Sequence, residues 1–284
     1  MNTKELLEQL EKDLAEYVRT APQNYVSEEM ALCPEDLGQR LYDSPILAVG
    51  SADDSLWGKM KEPGVVGPNF RTPKEWMPQA RTVISYFAPF SDYVVDGNKK
   101  DPVEIGHGWL YARVDGQKFL TRLNHWLEEW ALSHGFSALS PYASPDFDYV
   151  FEPGTNPAFQ NYGFTSNWSE RHVAFICGLG TFGLSKALIT PKGVCGRFGS
   201  IITDADFPVT ERAYTGVYEY CINCGACTRC PAGAISVQEG KDLMRCTRYF
   251  DYLREKYAPR FGCGKCYVHT PCERCIPEKN KYRI

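Results

Sequence analysis

The sequence predicts an α+β protein in two parts, an α/β domain over residues 1–210 followed by a small cysteine-rich domain over residues 211–284. Three observations carry this. Helical and strand-like apolar patterns alternate up to about Asp204, which is the signature of mixed layers around one core. Nine of the 12 cysteines are packed between Cys221 and Cys275. The composition shifts near residues 205–215, from apolar runs to cysteine, glycine and short polar connections. With 284 residues, 43% of them hydrophobic, the chain can bury a substantial core. No internal repeat or low-complexity tract interrupts it.

The elements follow in order. In MNTKELLEQLEKDLAEYV, Leu6, Leu7, Leu10, Leu14 and Val18 recur at helical spacing. The segment is acidic, with neither the basic start nor the apolar run of a secretory signal, so a cytoplasmic location is expected. A Gly/Pro-rich stretch leads to TVISYFAPF (Thr82 to Phe90), whose β-branched and aromatic residues predict a buried strand. FLTRLNHWLEEWALSHG puts Phe119, Leu123, Leu127 and Trp130 on one helical face, with Gly135 as its C-terminal cap. Tyr111, Arg113 and Asp115 form a polar set ahead of that helix, and Asp115 is placed to cap it. HVAFIC (His172 to Cys177) and SIITD (Ser200 to Asp204) read as further strands. No run reaches the roughly 18 apolar residues of a membrane span. A formal net charge of -4 does not suit a protein that binds nucleic acid through its phosphates.

In a reducing compartment a dense set of thiols points to metal or redox chemistry rather than to disulfides. CINCGACTRCP carries Cys221, Cys224, Cys227 and Cys230 with Pro231 directly after; Cys246, Cys263, Cys266, Cys272 and Cys275 lie downstream. Successive C-x-x-C steps in a tight loop aim thiolates at successive irons of a cubane. In two-cluster ferredoxins the cysteine before the proline serves the other cluster. Two [4Fe–4S] clusters held by eight cysteines are therefore expected. Zinc is the rival: four C-x-x-C pairs (221/224, 227/230, 263/266 and 272/275) allow two Cys₄ sites. The gap before Cys230, Thr228 and Arg229 only, is one residue shorter than the ferredoxin pattern and leans towards zinc. Against it, zinc leaves Cys246 idle and gives no reason for Pro231.

GLGTFG, with Gly178, Gly180 and Gly183, matches G-x-G-x-x-G after an expected strand. As a bare motif it predicts glycines where a strand turns tightly into a helix, and it leaves a flavin or nicotinamide oxidoreductase open.

SERHVAFICGLGTFGLSKALITPKGVCGRFGSIITD, followed by the cysteine segment, resembles epoxyqueuosine reductases and their relatives, as do PQARTVISYF and WLYARVDGQKF upstream. Those proteins share a corrinoid-binding core and a double-cluster segment with reductive dehalogenases. The resemblance implies a nitroreductase-like core that binds cobalamin with its lower base displaced, followed by a ferredoxin-like domain. It implies that Cys221, Cys224, Cys227 and Cys272 hold the cluster nearer cobalamin, and that Cys230, Cys246, Cys263 and Cys266 hold the outer one. Cys275 would be an extra, or a replacement for Cys272. Gly178, Leu179, Gly180, Thr181, Phe182, Gly183 and Arg197 would lie against the corrinoid. A low-potential donor, ferredoxin or flavodoxin, and a small-molecule electrophile such as an epoxide or halide would be the partners.

Two departures bear on substrate. Where epoxyqueuosine reductases carry an acidic proton donor, this chain has Phe164 or Thr165, and it ends nine residues after Cys275, without the helical repeats that longer members use on transfer RNA. A tRNA substrate is therefore doubtful. Tyr162, Glu170 and His172 are the candidate proton donors. The bland alternative is a surface ion pair between Glu170 and Arg171, with His172 capping a strand and Tyr162 packing. Cys177 is expected to be buried and Cys195, beside two glycines, to be reachable. Besides a reductase, an electron-transfer or corrinoid-handling protein without its own substrate fits the same residues.

Overall fold

The computed structural model describes residues 2–150 and 165–278. Its centre is a four-stranded sheet: β1 (Ile46–Ser51), β2 (Thr82–Pro89), β3 (Ala138–Leu139) and β4 (Gly196–Thr203), in the order β1-β2-β4-β3. Every pairing is antiparallel, with Ile46 opposite Phe87 and Thr82 opposite Thr203. Together with its helices this makes the chain a mixed α+β protein, and the expected strands at Thr82 and Ser200 are both present.

β2 is buried along its whole length because both faces of the sheet are covered. Ile84, Tyr86, Ala88 and Ile201 face a core built with α1 (Thr3–Thr20) and α2 (His107–Ser133). Val83, Phe87 and Ile202 face the other way, onto α3 (Glu170–Cys177). α1 contributes Leu6, Leu10, Leu14 and Val18, the residues its spacing singled out. Each such fully buried aliphatic or aromatic side chain contributes roughly 1.5–3 kcal/mol.

Three local expectations are corrected. HVAFIC is helical, the body of α3, rather than a strand. A short wholly apolar run carries no period, and here Val173 to Cys177 are all buried because the helix lies between the sheet and its covering loops. The informative signals were at its ends: Glu170 in the first turn and Gly178, at φ +104°, closing the last. GLGTFG therefore leads from a helix into a short hairpin, Thr181–Phe182 paired with Leu188–Ile189, the reverse of a dinucleotide turn.

α2 begins at His107, well before Phe119, so Tyr111, Arg113 and Asp115 lie inside it and Asp115 caps nothing. Its glycines hid that start, and close packing explains them. A Cβ on Gly108 would sit 2.8 Å from the Tyr93 ring, and one on Gly116 2.7 Å from the Tyr42 hydroxyl. At the far end Gly135 takes φ +84° just past the helix, as expected.

The cysteine-bearing segment has little regular structure beyond α4 (Leu243–Lys256), capped by the Asp242 side chain on the Arg245 N–H. It is stitched to the sheet through Val194 and Cys195, whose N–H groups donate to the carbonyls of Cys272 and Glu273. Gly193 is needed there, since a Cβ would meet the Glu273 carbonyl at 2.3 Å. Among the described residues no helix is long and apolar enough to cross a membrane.

Candidate cofactor and proton-transfer site

The eight cysteines expected to hold clusters fall into two neighbourhoods. The Cys227 thiol is pushed up to about 11 by burial and by the nearby sulfurs of Cys272, Cys221 and Cys224. Cys272 is pushed up to about 11, also by burial, with Cys221 and Cys224 beside it. In the second neighbourhood burial lifts Cys263 to about 11 and Cys266 to about 12, and the sulfurs of Cys230 and Cys246 add to both. Cys246 is carried on α4 and Cys227 on the 3₁₀ turn Ala226–Arg229; the rest sit on loops, where the backbone can turn the thiols inward. Cys275 is exposed, its sulfur 3.6 Å from the Pro271 carbonyl. Among the described residues, no three of these sulfurs lie within 4.8 Å of one another.

A cavity adjoins the first set. Gly183, Leu184, Ser185 and Ile189 form one wall and Cys221, Cys224, Cys227 and Cys272 the other. The rest of the GLGTFG motif builds that wall from behind. Gly180 is pressed where a Cβ would meet the Ile189 carbonyl at 2.0 Å, and Leu179, Thr181 and Phe182 are buried. Arg197 lies apart, on β4, donating to the Gln117 side-chain oxygen. Beside it Arg113 is pushed down to about 10 by burial and by the Arg197 charge.

α3 carries two of the three candidate proton donors. Glu170 makes no surface pair with Arg171, contrary to the bland expectation: Arg171 donates to the Lys186 carbonyl instead. The Glu170 carboxyl is enclosed. Its Oε2 accepts a 2.7 Å bond from Ser200 Oγ, which in turn accepts from Trp168 Nε1, while Oε1 has no partner among the described residues. Burial pushes its pKa up to about 8, against the opposing pull of Ser200, so the carboxyl is protonated at neutral pH. His172 sits within the helix and caps no strand. Burial, then the charges of Arg171 and Lys186, lower it to about 3, leaving a neutral ring 2.8 Å from Ser169 Oγ and tilted against Phe182. Tyr162 lies outside the described residues.

Thr165 is buried with its hydroxyl donating to the Val66 carbonyl. Cys177 is buried as expected, but Cys195 is buried too, because the loop entering β4 is covered by the C-terminal segment. Sequence reasoning missed one constellation altogether: Cys33, Asp36 and His107, whose ligand atoms all lie within 4.8 Å of one another.

No protein-family profile and no curated protein matches the chain. Solved structures do. A selenomethionine-labelled epoxyqueuosine reductase matches at TM-score 0.50 and 18% identity, over 97% of this chain and 71% of that one. The catabolic reductive dehalogenase NpRdhA, as an N-terminally tagged variant, matches at TM-score 0.52 and 15% identity, over 82% of this chain and 30% of that one. The same dehalogenase in complex with 3-bromo-4-hydroxybenzoic acid gives TM-score 0.50 at 16% identity. The chain thus has the fold that an epoxyqueuosine reductase shares with a reductive dehalogenase.

Proposed function

We propose that this protein is a cytoplasmic, cobalamin-dependent iron–sulfur reductase that passes electrons through two [4Fe–4S] clusters to a small electrophile. The observation that carries this reading is the partition of eight cysteines into two sets of four, one set facing a cavity walled by the GLGTFG turn. The donor set fits cubanes better than zinc. Four thiolates on one zinc at about 2.3 Å all stand about 3.8 Å apart, and among the described residues no three of these sulfurs are grouped within 4.8 Å, whereas a cubane spreads its ligands over four irons. Cys221, Cys224, Cys227 and Cys272 would hold the inner cluster, and Cys230, Cys246, Cys263 and Cys266 the outer. The division into a nitroreductase-like core and a ferredoxin-like domain after residue 210 belongs to the same reading.

Bound cobalamin would supply the low-valent cobalt that does the reduction. The chain's own residues do the rest. Gly183 and Leu184, on the wall of the cavity, would offer the macrocycle an apolar surface close to the backbone. Glu170 holds a proton at neutral pH, the state a general acid needs. His172, held neutral with its pKa lowered to about 3, leaves Glu170 as the proton carrier on α3. The substrate is an electrophile of the epoxide or halide kind; the dehalogenase relative binds a brominated hydroxybenzoic acid. A transfer RNA is not favoured.

The test is anaerobic purification with added cobalamin, followed by metal and sulfide analysis and an absorption spectrum. About eight irons and eight sulfides, with cobalt retained in a base-off spectrum, support the reading. Zinc with little iron would overturn it. Iron without retained cobalt would favour the second reading, an electron-transfer or corrinoid-handling protein. That reading draws on Thr165, whose hydroxyl is tied to Val66 where the relatives' acid is expected.

A further inference from the structure

Apart from the eight cluster cysteines, Cys33, Asp36 and His107 bring one sulfur, one carboxylate oxygen and one imidazole nitrogen to a common point. Cys33 precedes the 3₁₀ turn Pro34–Asp36, and His107 is the first residue of α2, 74 positions beyond Cys33. His107 Nδ1 is 2.9 Å from Asp36 Oδ2 and 4.0 Å from Cys33 Sγ. Both protein contacts therefore fall on one ring nitrogen. That is not a nucleophile–base–acid relay, which would use the two nitrogens separately. It is how three donors surround a cation.

The carboxylate is fixed from behind. Tyr93 Oη donates to Asp36 Oδ1 at 2.6 Å and Tyr111 Oη donates to Oδ2 at 2.7 Å. Tyr111 Oη in turn accepts from the Leu32 N–H at 2.6 Å, so its orientation is set by two bonds. Asp36 is buried, only 7% of its side chain exposed, and its ion-pair partner among the described residues is His107 alone. The nearest arginine, Arg260, stacks on Tyr111 and spends its charge on Asp115. A buried carboxylate beside an imidazole and a thiol, with hydroxyls orienting it, is the outer arrangement that metal sites use.

We propose that Cys33, Asp36 and His107 bind a zinc ion that clips the loop before β1 to the start of α2. Tetrahedral zinc needs donor separations of about 3.3–3.7 Å, so the 2.9 Å between His107 and Asp36 and the 4.0 Å between His107 and Cys33 each need to change by only a few tenths of an ångström. Thiolate plus imidazole selects zinc over magnesium or calcium. Binding releases the Cys33 thiol proton to solvent, while the imidazole proton sits on Nε2, on the exposed side of the ring. The fourth position faces outward and takes a water or the neighbouring Glu35 carboxylate, which already contacts the Cys33 thiol.

The holoprotein, purified anaerobically, is incubated with a slight excess of zinc chloride, desalted, and analysed for zinc and iron together with zinc X-ray absorption. About one zinc per chain is expected, with a single sulfur near 2.3 Å and nitrogen or oxygen near 2.0 Å. Cys33→Ala and His107→Ala should lose that zinc with iron content unchanged, which separates this site from the cluster thiols. Should either variant fold poorly, Tyr111→Phe keeps the ring and should weaken zinc binding about tenfold against a competing chelator. Zinc that persists in both alanine variants, an all-sulfur shell, or no zinc retained by the parent protein would each overturn the proposal. Iron content reports separately on the cluster reading.

Discussion

Every residue of β2 is buried, whereas between residues 215 and 233 not one is. The sheet and its helices are held by apolar packing on two faces: Leu10, Leu123 and Leu127 on one side, Phe70, Trp168 and Ile176 on the other. The cysteine segment has no comparable core. Its buried residues are a handful, Ala234, Ile235, Leu253, Cys263 and Val268 among them, and the last three pack on the sheet side. A region that buries so little needs another source of order, and the two sets of thiols are that source on the proposed reading. On that reading one chain combines a part that folds by hydrophobic burial with a part that folds around its ligands.

The sharpest way to break this comparison is to strip the metal. Chelation should raise amide exchange in residues 221–278 by a thousandfold or more, as an order of magnitude, while β2 and β4 keep their protection. Equal loss in both regions would show that the sheet depends on the clusters as well. Single-ligand variants sharpen it: Cys227→Ala and Cys263→Ala should each lower iron by about four per chain. Next in size is the converse, a core lesion with the metal in place. Leu127→Ala, at a fully buried position, should cost about 2–5 kcal/mol in denaturant unfolding with iron content unchanged.

The buried carboxyl gives a smaller effect with a defined sign. The folded pKa of Glu170 is raised to about 8, so the native state holds a proton that the unfolded chain has already lost above its ordinary carboxylate range. Stability from this group is full at low pH and is lost as pH rises through about 8. Between pH 6 and 9 the loss is roughly 3 kcal/mol. Glu170→Gln should flatten that slope, and a slope that survives the change would place the proton elsewhere. Smallest is Asn2→Ala, which removes the side chain bonded to the Glu5 N–H and should cost about 1 kcal/mol in thermal unfolding.

The legible parts of the sequence were those governed by local pattern. α1 could be read from Leu6, Leu10, Leu14 and Val18, and β2 from TVISYFAP, because period and propensity agreed with burial. α3 could not, since its run from Val173 to Cys177 is wholly buried and carries no amphipathic period, and Glu170, next to the exposed Arg171, looked like a surface charge. The start of α2 was hidden by Gly108 and Gly116, whose purpose is tertiary: they make room for Tyr93 and Tyr42. The cysteine spacing suggested cluster chemistry, and the resemblance supplied the grouping on which the proposed reading rests. Cys33, Asp36 and His107 carried no such signal, because no local motif joins residues 74 positions apart.

The inner set draws Cys221, Cys224 and Cys227 from before the outer set and Cys272 from after it, so in sequence the one brackets the other. On the proposed reading the inner site therefore closes a loop that contains every ligand of the outer one. Its last ligand, Cys272, also joins that loop to the sheet, because its carbonyl accepts from the Val194 N–H.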